Sequence, residues 1–318
     1  MPSANNSTKK GKAYEYACVL AVQEIVSPIR AIEIVDNSSL RIARQRWGEI
    51  IQSEQSEMLR SAAAGIKTII KMEPKIIEDG NDKLTVFLQP DNVAKLGDVR
   101  DMLIIRRSIQ WEIGVSVKHN HSALKHSRLS TKLDFGNVWL GVKCAQGYFD
   151  EIKPIFDTLT AEKAKGTKWS ELTAKDDTVY VPILNAFKKE LLRLNTAENQ
   201  VTQGLVKYLI GSSGKDYYKL IHRKNFTTVM PFNLYGSLNT SATNTDPEID
   251  IPAIELPTRM IDFSFKDHSK NTLILTMNNG WSISFRIHNA STIVEPSLKF
   301  DIQLQSKPEN MFYMDVKW

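Results

Sequence analysis

The sequence predicts an α/β protein, with helices and a hairpin in its first two thirds and a β-rich C-terminal region. Three observations lead there. Residues 1–211 mix segments of helical periodicity with a short apolar hairpin. After Gly211 the chain becomes a series of alternating, strand-like runs. "NNG" at 278–280 sets a tight turn between two of those runs.

Taken in order, residues 1–10 are polar and read as a disordered tail. "AYEYACVLAVQEIVS" (13–27) has apolar residues at helical spacing. Asn37 or Ser38 caps a second helix, "SLRIARQRWGEII". A third runs over 56–71. "LTVFLQ" (84–89) is a strand that Pro90 ends. Residues 98–106 and 111–118 are two strands joined by a short turn, hence an antiparallel hairpin. "SALKHSRLS" reads as a short helix. The 146–211 region is helix-rich, with Pro154 marking a kink or a break. "DYYKLIH", "FTTVMPF", "RMIDFSFK", "NTLILTM", "WSISFRIH" and "LKFDIQLQ" follow as strands, with a polar loop over 240–257. The expected division is 1–211 and 212–318.

Composition narrows the function classes. The 318 residues carry 41 Lys and Arg against 36 Asp and Glu, a net charge of +5 that suits a polyanion partner without requiring one. Cys18 and Cys144 are the two cysteines, and neither sits at zinc-ligand spacing. The polar N-terminus has no signal-peptide core, and no run approaches 18 apolar residues. A cytoplasmic protein is expected.

The hairpin carries the chemistry. On its second strand Glu112, Gly114, Ser116 and Lys118 share one face, and Ile113, Val115 and Val117 the other. With the turn near Ser108 or Ile109, Asp101 lies almost opposite Ser116, and Asp98 near Lys118. An acid beside a lysine suits phosphodiester cleavage. Carboxylates hold Mg2+, which supplies Lewis acidity and lowers the pKa of a bound water. The lysine orients the nucleophile or stabilises developing charge. After the hairpin, "KHNHSALKHSRLS" places His119, Asn120, His121, Lys125 and Arg128 in a basic segment. If helical, it puts His121, Lys125 and Arg128 on one face, where a phosphate backbone would lie. The adjacent letters "HNH" carry no metal geometry, and no cysteine or carboxylate stands at ligand spacing to His121 and His126.

The hairpin resembles the PD-(D/E)xK nuclease superfamily, whose pattern is an acid at the start of one strand and (D/E)-x-K on the next. Asp98 or Asp101 matches the first acid and Lys118 the lysine, but Ser116 stands where the second acid belongs. Glu112 lies on the right face but roughly 13 Å along the strand. Glu15, four residues after Gly11, matches a Gly-x-x-x-Glu arrangement that some members carry on the first helix. The resemblance therefore implies Asp101 with Glu15 or Asp98 at the metal, and Ser116 and Lys118 in the catalytic set.

"WEIGVSVKHNHSALKHSRLS" and "GWSISFRIHNASTIVEPSLKFDIQL", together with "DYYKLI", "FNLYGSLN" and "GDVRD", are similar to the HaeIII family of restriction endonucleases from Gly11 to near the C-terminus. The resemblance implies a type II enzyme that cuts double-stranded DNA at GGCC with Mg2+, and a methyltransferase that protects host DNA. It makes 1–211 a nuclease core, a mixed sheet flanked by helices, with helical insertions, and 212–318 a DNA-recognition region. In the C-terminal strands Arg286, His288, Asn289, Lys299 and Asp301 offer donors for guanine O6 and N7 and an acceptor for cytosine N4. A palindromic site implies a homodimer. Three other readings share these residues: a nuclease without a fixed site, a DNA-binding protein whose nuclease fold is inactive, and a structural assembly protein. Ser116 keeps the inactive reading open.

Overall fold

The computed structural model describes residues 4–91, 98–120, 123–125, 127–198, 200–211 and 214–318. Its elements are α1 (Ala4–Val26), β1 (Ile32–Ile34), α2 (Ser38–Gly48), α3 (Gln52–Met72), β2 (Leu84–Leu88), β3 (Met102–Arg106), β4 (Trp111–His119) and β5 (Arg128–Leu129). Then come α4 (Phe135–Leu140), α5 (Gln146–Ala164), α6 (Val181–Ala197), α7 (Val201–Ile210), β6 (Tyr217–His222) and β7 (Phe226–Phe232). The chain ends with β8 (Met260–Phe265), β9 (Thr272–Met277), β10 (Ser282–His288), β11 (Leu298–Ser306) and β12 (Met314–Lys317).

Two compact units form, and the division does not fall at 211. Residues 1–122, 212–255 and 310–318 make the first unit, and 123–211 with 256–309 make the second. The reason is the parallel pairing of β4 with β6. Parallel neighbours need a long crossover. Residues 123–211 are that crossover, and with 256–309 they build a unit of their own.

The first unit holds a seven-stranded sheet in the order β1-β2-β3-β4-β6-β7-β12. The β2–β3 and β3–β4 pairs are antiparallel, β4–β6 is parallel, and β6–β7 is antiparallel. Ile113, Val115 and Val117 of β4 and Tyr218 and Leu220 of β6 share a face and join one core with α1 and α3. From α1 come Tyr14, Ala17, Cys18, Ala21 and Val22, a stripe at i, i+3, i+4, i+7 and i+8. Gly65 lets α3 lie close to β6, since a Cβ there would come within 2.2 Å of Leu220 Cδ1. Asn37 caps α2, its side chain accepting from Leu40 N–H.

Helix α1 begins at Ala4, so residues 4–10 are helical rather than a disordered tail. Lys9 pairs with Glu49 at 3.4 Å and Lys10 with Glu54 at 2.8 Å, which ties this first part of α1 to the rest of the unit.

The second unit holds an antiparallel sheet, β5-β11-β10-β9-β8. Phe187 of α6 meets Phe263, Phe285 and Phe300 from the sheet, at ring-centroid distances of 6.0, 5.5 and 5.1 Å. The "NNG" hairpin forms as its sequence predicts, with Asn279 and Gly280 at φ 57° and 75°. Helix α5 runs unbroken through Pro154, which removes only one backbone donor. The described residues of "SALKHSRLS" do not form a helix. Leu124 N–H donates to Ile302 O at 2.8 Å, Lys125 bridges to Ile302, and β5 pairs with β11. Nine residues make a marginal helix, so pairing along a sheet edge wins. Among the described residues no helix is long and apolar enough to cross a membrane.

Candidate active site

The site is built on one face of the first unit's sheet. Asp101 directly precedes β3, one residue beyond the Met102–Val115 pair. Its Oδ2 accepts from Val117 N–H at 2.7 Å, Lys118 Nζ at 2.8 Å and Ser116 Oγ at 3.3 Å. The hairpin turn is a short 3-10 segment over Arg107–Ile109, closed by Gln110 in the left-handed region at φ 51°. That turn fixes the register, and the register brings Asp101 to Ser116 and Lys118.

Glu15 on α1 is the second carboxylate, buried at 7% exposure. Burial and the neighbouring Asp101 charge push it up to about 8, against the opposing pull of Lys12 and Lys118. Lys12 reaches Glu15 at 3.0 Å and Asp91 at 2.6 Å. Burial would lower the Lys12 ammonium, but these carboxylates hold it above its ordinary value. Two crowded carboxylates, one of them holding its proton beyond neutrality, are a place that a hard cation would stabilise. Among the described residues no group of three His, Cys, Asp or Glu could hold a metal. Asp101 and Glu15 are two carboxylates near enough for the charge of one to act on the other. That fits Mg2+, which commonly takes one or two carboxylates and keeps several waters.

Asp98 takes a different place from the one the spacing suggests. It turns to Arg100, not Lys118, accepting from Arg100 Nη2 at 2.7 Å and Nε at 2.8 Å. Burial would raise its carboxyl, but the Arg100 side chain and backbone N–H hold it below the ordinary value. Glu112 also serves Arg100, at 3.0 Å, and Lys215 at 3.2 Å. Arg100 lies flat over Gly114, where a Cβ would sit 2.0 Å from Arg100 Cδ. This clamp fixes the approach of the chain to Asp101.

Two arrangements in this unit are not legible in the sequence, the register of Lys219 with Ser116 and the stacking of His119. Lys219 of β6 stands in register with Ser116 and is 2% exposed. His119 stacks on His222 at 4.8 Å, and His222 on Trp318 at 5.4 Å. Burial, then the His119 neighbour, lowers His222 to about 4. His119 is therefore part of a packed column at the strand ends rather than an open basic side chain. Asn120 takes a left-handed φ of 54° and its N–H donates to His222 O at 3.0 Å. His121 lies outside the described residues.

In the second unit, Arg128, Lys299 and His288 stand side by side across β5, β11 and β10, with Arg286 opposite Asp301. Arg286 is exposed. Gln303 Nε2 donates to Asp301 Oδ2 at 3.0 Å, while Asp301 Oδ1 and His288 Nδ1 are buried without a hydrogen-bond partner. Burial, then Arg286 and Lys299, lowers His288, and burial, then Arg128, lowers Lys299. Arg128, Lys299 and the exposed Arg286 offer positive charge that suits a polyanion. Arg128 donates to Ser297 Oγ at 2.8 Å. Lys125 does not join the row. Its Nζ lies 3.6 Å from the centre of the Tyr208 ring, and burial lowers it to about 8. Asn289 is spent on its own loop, donating to Ser291 O and Ile293 O and accepting from Glu295 N–H.

Comparison with known proteins shows the family. Residues 11–308 match the family model described as HaeIII restriction endonuclease. The chain is 44% identical over 318 residues, covering 99% of each chain, to the type II restriction enzyme HaeIII of Haemophilus aegyptius. No solved structure matches.

Proposed function

Because the chain belongs to the HaeIII restriction endonuclease family, we propose that it hydrolyses double-stranded DNA at GGCC with Mg2+, acting as a homodimer in the cytoplasm beside a methyltransferase that protects the same sites. As a type II restriction enzyme it is a site-specific deoxyribonuclease. The observation that carries the chemical reading is the triple convergence on Asp101 Oδ2 of Lys118 Nζ, Val117 N–H and Ser116 Oγ.

Asp101 and Glu15 would hold Mg2+. When bound, the ion supplies Lewis acidity and lowers the pKa of a bound water. Lys118 sits where it can turn from Asp101 to the scissile phosphate, orienting the attacking water or neutralising charge as it develops. Val117 N–H and Ser116 Oγ hold the Asp101 carboxylate in one orientation, so that no reorganisation is needed as charge moves. The Asp98–Arg100–Glu112 clamp keeps the chain before β3 rigid. Arg128, Arg286, His288, Lys299 and Asp301 contact DNA, with Arg286 and Lys299 suited to guanine and Asp301 to cytosine N4.

The test is digestion of a mapped plasmid with Mg2+ and with EDTA, followed by sequencing of the ends. Discrete Mg2+-dependent fragments ending at GGCC are expected. A gel shift with intact plasmid in Mg2+ and in Mn2+ would instead favour an inactive nuclease fold, the reading that the absence of an acid at Ser116 keeps in play.

A further inference from the structure

The place of the missing second acid is not simply vacant chemistry, because a lysine from the next strand faces it. Ser116 of β4 pairs with Lys219 of the parallel strand β6, while on its other side Asp101 Oδ2 accepts from Ser116 Oγ and Lys118 Nζ. Asp101, Ser116 and Lys219 therefore form one row across three neighbouring strands. Strand neighbours are about 4.8 Å apart, so the outer members of the row are about 10 Å apart at the backbone. Ser116 is the middle member of the row. A lysine has a flexible four-carbon stem, which can extend over a serine toward Asp101. An aspartate or glutamate at 116 would fill that space and capture the lysine itself.

Burial separates the two lysines. The Lys118 side chain is 29% exposed and pairs with Asp101 at 2.8 Å. Lys219 is 2% exposed. The first is placed to swing toward an incoming phosphate and the second to stay. Their charges reach one another: burial, then Lys118, lowers the Lys219 amine to about 7, with Asp101 opposing the shift and Arg223 adding to it. Tyr217, two residues earlier on β6, closes the same neighbourhood. It is buried, and burial, then the Asp101 and Asp98 charges, raises its hydroxyl.

Resting on the nuclease reading above, we propose that Lys219 is a positioning residue of the active site: it balances the charge of Asp101 across Ser116, which leaves Lys118 free to leave Asp101 for the scissile phosphate. The row then explains how a serine stands where the superfamily pattern has an acid. The site has exchanged one carboxylate for a buried lysine that reaches past a small residue.

The full-length protein decides this with Lys219→Met and Lys219→Arg. Single-turnover cleavage of a GGCC duplex is measured in Mg2+ at about pH 6, below the value of about 7 to which burial, then Lys118, lowers the Lys219 amine, so that the amine carries its charge. Affinity for Ca2+ alone is measured by calorimetry, and melting temperature by scanning fluorimetry. Lys219→Met is expected to slow cleavage by about tenfold or more and to bind Ca2+ more tightly, since a nearby positive charge is gone. Lys219→Arg should restore both. Wild-type rate and Ca2+ affinity in Lys219→Met overturn the proposal, and so does a slower rate with unchanged Ca2+ affinity, which marks a structural role. Should Lys219→Met not fold, Ser116→Asp reports on the same row. Pairing of the new acid with Lys219 predicts a melting temperature at or above wild type, and a lower one, from repulsion with Asp101, overturns it. Failure of the underlying reading looks different: Lys118→Ala would cut at the wild-type rate, while the Ca2+ titration still reports on Lys219.

Discussion

Lys118 and Asp101 meet on adjacent strands through a single carboxylate oxygen, Nζ to Oδ2 at 2.8 Å, and that oxygen is the one that Val117 N–H holds at 2.7 Å. The pair is thus aimed by backbone as well as by charge. If the two act as one device, their removal is not additive. Lys118→Ala and Asp101→Asn are each expected to lower the single-turnover cleavage rate by about a thousandfold. The double variant should be no slower than the worse single one, and a filter-binding assay should show duplex binding kept in all three. Multiplying losses would mean that the residues serve separate steps.

Glu15 gives a pH dependence with a definite sign. Its carboxyl sits at about 8 in the fold, against about 4.3 in an unfolded chain. The native state therefore holds a proton that the unfolded state releases between those values. Its contribution to stability is complete below the lower value and is lost as pH rises through the upper one. The metal-free protein should melt at steadily lower temperature from about pH 5 to pH 8, and Glu15→Gln should flatten that slope. Mg2+ should raise the wild-type melting temperature more at pH 8.5 than at pH 6, because the ion competes with a proton. Equal Mg2+ stabilisation at both values, or in Glu15→Gln, would remove Glu15 from the metal site.

Gly114 tests the clamp. Its missing side chain makes room for the stem of Arg100, whose Cδ, Cγ and Cβ would lie 2.0, 2.5 and 3.0 Å from an added Cβ. The whole arginine, with its partners Asp98 and Glu112, would have to move. Gly114→Ala should destabilise the fold by roughly 1–3 kcal/mol, as overpacking does. It should also lower cleavage below the level that the lost stability explains, because Asp101 follows Arg100 directly in the chain. Urea titration and cleavage assays on the same preparation separate the two effects.

The hairpin was legible because everything about it is local. Period-two alternation and a short turn are enough to set Asp101 against Ser116 and Lys118. Glu15 came from its spacing to Gly11, a family pattern rather than a physical one, and the fold does carry its charge toward Asp101. Asp98 misled because Arg100, only two residues away, claims it; spacing to Lys118 gave no hint of that competitor. Lys219 is legible in the sequence as a strand residue that could touch a DNA backbone, but not as the neighbour of Ser116. Its role depends on the parallel pairing of β4 with β6, about a hundred residues apart, and no local pattern encodes a parallel register. The same long crossover explains why a division at 211 seemed natural. The texture of the chain does change there, but β6, β7 and β12 return to the first sheet. The basic segment after β4 reads as a short helix in the sequence, whereas the edge of β11 pairs with Arg128 and Leu129 as a strand.

If the second sheet binds DNA as proposed, its row would separate two kinds of contact. Arg286 is exposed opposite Asp301 on the central strands, whereas Arg128 stands on the edge strand β5 and donates to Ser297. A base-reading arginine loses discrimination when removed; a phosphate contact loses affinity for every sequence alike. Arg286→Ala should weaken binding to a GGCC duplex by about 1–3 kcal/mol and leave binding to an unrelated duplex almost unchanged. Arg128→Ala should weaken both by similar factors and reduce the slope of log affinity against log salt by about 1. Competition binding in Ca2+ at several salt concentrations measures both quantities at once. If Arg286→Ala lowers affinity for both duplexes equally, the exposed face of β10 and β11 holds the backbone and base reading must lie elsewhere in the chain.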